Sequence, residues 1–205
     1  MKKFALMLIA SVLLCACDRR PARNDLPKSE GNSVEHTRTV TVSIETSPNA
    51  AGSPYGAQFL DTMIADHEAV IDVAQLAQTR AGNTELKGFI LALIAKHQVE
   101  IKQMRRLRQI DFVSAPPSIN TDLAGVKTGA LTLDPDKLDL LKEQLFDKEF
   151  LLETIRHHEG ALDLLTDAGE KLNAADDLRE FISTATNDRQ TELDQMKKWQ
   201  AVWFK

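Results

Sequence analysis

Apolar residues recur at helical spacing through most of the chain. Leu86, Phe89, Ile90, Leu93, Ile94, Ile101 and Met104 fall three, four or seven apart, and Leu178, Phe181, Ile182, Ala185, Leu193, Met196, Trp199 and Trp203 do much the same. Such residues share one face of a helix, so each stretch predicts an amphipathic helix with a buried stripe. The pattern also repeats. Residues 59–104 align with 150–196: Phe59 with Phe150, Ile64 with Ile155, His67-Glu68 with His158-Glu159 and Asp72 with Asp163, all 91 positions apart. One inserted residue makes the offset 92, and Leu86 then matches Leu178, Gln98 matches Gln190, Glu100 matches Glu192 and Met104 matches Met196. Ordered identities at a fixed offset indicate duplication of one supersecondary unit.

Each unit reads as a helical hairpin. Ser53-Pro54 and Asp134-Pro135 place a capping residue before a proline at the first helical position. Gly82 and Gly169 suit helix ends, and Asn83 or Thr84, and Asn173, suit the starts of the return helices. Two hairpins, 54–112 and 135–205, joined by a long linker over 113–134, predict an all-α four-helix bundle. Helices of about 25–30 residues make it roughly 40 Å long.

The N-terminal end breaks the pattern. Lys2-Lys3, an apolar run over 4–14 and then Leu14-Cys15-Ala16-Cys17 read as a lipoprotein signal over 1–17, with Cys17 kept and lipidated. The run is too short to span a bilayer. Asp18, next in line, resembles an inner-membrane retention signal. Residues 18–53 are polar, and predict a flexible tether; the alternation over 39–44 predicts an extended piece within it. The expected address is therefore the periplasmic side of a bacterial envelope, with the membrane a partner through the lipid. Aromatic residues make up only 5%, which disfavours a β-sandwich. A net charge of −5 gives no basic footprint, so nucleic acid is excluded as a partner.

The candidate chemistry is histidine. Met63 and His67, four apart, share a face that Val70 continues; Ile155, His158, Leu162 and Leu165 form the equivalent face. His157 lies about 100° round from His158, one ring facing inward and one a neighbouring helix in either assignment. His97 lies on the Ile94–Ile101 stripe, with Glu100 three residues on. Imidazole, thioether and carboxylate together suit a transition metal, Met favouring Cu(I) and carboxylate harder ions. Hydrogen-bonded packing is the alternative for each histidine, and core filling for each methionine. Gln98, Glu100, Gln190 and Glu192 either bond across helices or sit on a solvated flank. Lys102, Arg105, Arg106 and Arg108 oppose a helix dipole at its C-terminal end.

The segments 63–70 and 154–161, with Gln-x-Glu-Ile/Leu-x-x-Met at 98–104 and 190–196, resemble the doubled Met-x-x-His-His pattern of the ferritin-like DUF305 family. The resemblance covers about residues 55–203. It implies a ferritin-like bundle with Met and His ligands for copper, and it assigns Met63, His67, His157 and His158 to the metal. Asp66 stands where the pattern has His, and is taken as a substitute ligand; Thr154 stands where it has Met. The function expected is an envelope-anchored lipoprotein binding Cu(I) or Cu(II) for buffering, resistance or delivery. The alternative is a structural or interaction module that docks on an envelope protein and whose metal motif is degenerate. Catalysis is not expected: the helices carry no Glu-x-x-His pair, and no nucleophile–His arrangement or phosphate loop is present.

Overall fold

The computed structural model describes residues 44–126, 134–173 and 175–205. Cys17, the signal over 1–17 and the tether as far as residue 43 lie outside the described residues. Those described hold a short 3-10 turn, Ala50–Gly52, then α1 (Tyr55–Arg80), α2 (Thr84–Asp111), α3 (Pro135–Asp139), α4 (Glu143–Lys171) and α5 (Asp176–Trp203). There is no strand among them. Helix α1 pairs with α2 and α4 with α5, and α1 also packs on α4. The all-α bundle of two hairpins expected from the repeat is the fold observed.

Several helix ends differ from the sequence reading. Pro54 occupies the cap of α1, and the Ser53 hydroxyl turns back to Asn49 O. Asp134 does cap a helix beginning at Pro135, but this is the one-turn α3; the chain breaks at residues 140–142 and α4 starts at Glu143, whose φ of 52° is left-handed. A helix cannot run straight through such a residue. Gly82 follows α1 without a positive φ, and Gly169 lies inside α4. Asn83 caps α2, accepting from the backbone of Glu85 and Leu86, whereas Ala175 stands at the cap of α5 with no side-chain hydrogen bond to give and Asn173 plays no such part. The α1–α2 turn is held instead by the second hairpin: Asp147 of α4 accepts from the backbone N–H of Gly82 and Asn83 at 2.9 and 2.8 Å.

Segment 112–126 is fastened along α1. Asp61 accepts from Arg108 and from Ser118 N–H, and Thr62 Oγ1 from Asn120 N–H. Arg108 also donates to carbonyls of Phe112, Ala115 and Pro116, so it closes the C-terminal end of α2 as its position suggested. The Phe112 ring lies on Gly56, where a Cβ would stand 2.2 Å from it. Gly125, at φ 76°, abuts the backbone of Gly160 in α4 so closely that any side chain would collide. Of the stretch over 39–44 only Ile44 is described, and it forms no strand; three residues on, Ser47 N–H donates to Ile119 O at 2.8 Å.

The interior has three storeys. At one end Phe59, Leu60, Met63, Met104, Leu164 and Phe181 pack together. At the other end Ala74, Ile90, Phe146, Phe150, Leu193 and Met196 do so. Each buried Leu, Ile, Phe or Met among these contributes about 1.5–3 kcal/mol of transfer free energy. Between the two apolar cores every long helix turns polar, and that storey contains the four described histidines.

Candidate functional site

Each helix brings its polar residues at mid-length: Asp66 and His67 from α1, His97 and Glu100 from α2, His157 and His158 from α4, Arg189 and Glu192 from α5. The i, i+3 spacing sets His97 above Glu100 and Arg189 above Glu192 on one face. Asp66, the four histidines and Arg189 have no solvent exposure. Burying that many polar groups is costly unless they bond one another, and most do. His67 Nε2 donates to Glu100 Oε2 at 2.7 Å. Its mate, His158 Nε2, lies 3.0 Å from Glu192 Oε2, with Nδ1 3.0 Å from Thr154 O. Arg189 bridges the two carboxylates, Nη2 donating to Glu100 at 2.5 Å and Nη1 to Glu192 at 2.9 Å. The same Nη2 stands 3.2 Å from His67 Nε2. Lys96, at the rim, pairs with Glu192 and Asp188, each at 2.9 Å.

In His97 one ring nitrogen is bonded and the other is not. Its Nδ1–H donates to Leu93 O at 3.0 Å, so in the neutral ring Nε2 carries a lone pair, and that atom has no hydrogen-bond partner. The His67 and His97 rings are 4.2 Å apart, tilted by 36°. Ligand atoms of His67, His97 and Glu100 all lie within 4.8 Å of one another, a set able to hold a metal ion. The Asp66 carboxylate makes no hydrogen bond, its oxygens lying 3.5 Å from His67 Nδ1 and 3.8 Å from His157 Nδ1.

Burial and charge set the protonation states. Burial pushes His97 well below the usual imidazole range, and neighbouring His67 and Arg189 push the same way. Burial likewise takes His157 down to about 4, with Asp66 opposing, and it takes His158 down despite the hydrogen bond to Glu192. His67 is the exception. Burial opposes its charge, but the carboxylates of Asp66 and Glu100 outweigh it and raise the pKa. Burial also opposes the Glu100 and Glu192 charges, yet their histidine partners and Arg189 hold both pKa values down. The site therefore offers an ionised carboxylate and the neutral ring of His97 side by side.

All five expected ligands are buried, but they are not gathered at one point. His67 is in the three-residue set. Met63 belongs to the adjoining apolar core, Asp66 lies between His67 and His157, and His158 pairs with Glu192. His157 and His158 are both fully buried. Glu100 and Glu192 bond across helices, the first of the two readings the sequence allowed. His97, seen only as a histidine near a stripe, joins the set. Arg189 escaped notice altogether, although the repeat marks it: 92 positions after His97, it stands where the duplication would put a second such imidazole.

The chain belongs to DUF4142, a family of domains of unknown function whose model matches residues 42–199. The likeness to DUF305 holds at the level of fold. A secreted DUF305 protein from Streptomyces coelicolor superposes with a TM-score of 0.62 over 72% of this chain and 93% of its own, at 14% identity. A DUF305 fragment from Deinococcus radiodurans gives 0.61, over 77% and 99%, at 17% identity. CopM in its Cu(I)-bound form is 25% identical, with a TM-score of 0.61 over 73% of this chain and 98% of that one. No match is found among curated proteins.

Proposed function

We propose that this protein is a lipid-anchored envelope protein that binds copper, as cargo for buffering, resistance or delivery and not for catalysis. The single observation that carries this is His97 Nε2, a buried lone pair with no hydrogen bond, set beside His67 and Glu100. The donor set fits. Two imidazoles and a carboxylate suit Cu(II), which binds such sites most tightly among the first-row divalent ions, and the described residues include no cysteine. The likeness to CopM, solved with Cu(I) and with Cu(II), supports the choice of copper. The anchor rests on the lipobox-like ending at Cys17.

The test is a competitive Cu(II) titration of the full chain against His67→Ala/His97→Ala. Binding that weakens at least tenfold in the variant, about 1.4 kcal/mol, supports the site. No retention of Cu(II), Cu(I) or Zn(II) against a micromolar competitor overturns it. A second reading, an interaction module docked on another envelope protein, is favoured by one feature: Arg189 already satisfies both glutamates without an ion. Unchanged copper tolerance in cells carrying the variant would support that reading.

A further inference from the structure

The internal repeat pairs the polar storey residue by residue. His67 mates with His158 and Glu100 with Glu192, and His67–Glu100 and His158–Glu192 make the same Nε2–Oε2 contact, at 2.7 and 3.0 Å. By the same offsets Asp66 mates with His157 and His97 with Arg189. The second hairpin thus has a guanidinium where the first has a ligand nitrogen. That guanidinium is fully buried, and it spans both hairpins by grasping Glu100 as well as Glu192.

We propose that Arg189 is the cluster's resident cation: it fills the position of a second metal site, confines the chain to one ion on the α1–α2 side, and competes with that ion for Glu100. The inference rests on the copper reading above. Three observations support it. Arg189 Nη2 lies 2.5 Å from Glu100 and 3.2 Å from His67 Nε2, two members of the three-residue set, so an ion using those atoms meets the guanidinium directly. Arginine cannot give up its proton to make room, so it yields only by moving away. And both glutamates, Glu100 and Glu192, pair with this one guanidinium, Glu192 with Lys96 as well, so an ion entering the set meets carboxylates that already have a cation.

The test measures Cu(II) affinity and stoichiometry on the full chain, with circular dichroism to check folding. Arg189→Gln removes the competitor, and at least tenfold tighter binding is expected at an unchanged one ion per chain. Arg189→His restores the mate of His97, and a second equivalent of Cu(II) is expected. Removing one partner of a buried ion pair can unfold a protein, so Arg189→Gln/Glu192→Gln, which removes a cation and an anion together, is the companion variant. It too is expected to bind Cu(II) more tightly than the wild type. A wild type that binds copper, with variants of equal affinity and stoichiometry, overturns the role of Arg189 and leaves the copper reading standing. Binding by the variants alone supports a blocking Arg189 in its strongest form. No binding by any of them overturns both.

Discussion

The two hairpins share a plan and differ where it matters chemically. Both set a histidine of the first helix against a glutamate of the second. Beside the histidine, however, the first hairpin has Asp66 and the second has His157. That one difference accounts for the opposite shifts of the mates. His67 has two carboxylates within reach and is raised, while His158 has one, and burial prevails. Duplication copied the scaffold, and changes at two paired positions gave the halves different charge chemistry.

The comparison can be broken first through the cores. Phe59 and Phe150 are mates, both fully buried, one in each apolar storey. Each Phe→Ala change is expected to cost about 3–5 kcal/mol in urea unfolding. Markedly unequal losses would show that the two cores do not carry equivalent loads.

Acidification comes next. His157 titrates near 4 in the folded protein and near 6.5 when unfolded. Between those values the unfolded chain binds the extra proton, so stability is full above about 6.5 and falls as the pH drops toward 4. The loss from His157 is roughly 3 kcal/mol, and His97 acts in the same direction. His67 acts oppositely: its contribution is full below about 6.5 and is lost as pH rises through its raised value. Unfolding of the metal-free protein at stepped pH should show this acid limb, and His157→Gln should flatten it.

Asp66→Asn sharpens the contrast at the site itself. Removing that carboxylate is expected to bring the His67 pKa down, the direction already taken by His158, as read by NMR titration of the metal-free protein. A His67 pKa that stays raised would mean Glu100 alone sustains it. The smallest effects lie at the helix starts. Asn83→Ala should cost about 1 kcal/mol, while Ala175→Asp, supplying the cap that α5 lacks, should gain a similar amount. Thermal unfolding resolves both.

The bundle was legible because apolar spacing and the 91- and 92-residue offsets carry it in one dimension. The helix ends were less so. Asp134-Pro135 starts a helix as its chemistry requires, but nothing local announces that it stops one turn later, ahead of a left-handed Glu143. Likewise the α1–α2 turn relies on Asp147, 65 residues from Gly82. At the site, His67, His157 and His158 stood out by type. Arg189 did not, since an arginine on a helix ordinarily reads as solvated, and only its register with His97 marks it as interior. Glu100 and Glu192 were visible as a repeated pair, but their histidine partners lie on other helices, and spacing along one helix does not reveal them.

The enclosure of the polar storey bears on tempo as well as affinity. Asp66, the histidines and Arg189 are sealed between two apolar cores, and the described groups that reach toward solvent are the partly exposed glutamates and Lys96 at the rim. A ligand entering so closed a space waits for the helices to part, an event of microseconds to seconds. In the proposed role, uptake and release would keep the bundle's own time, which suits a slow reservoir better than a rapid courier.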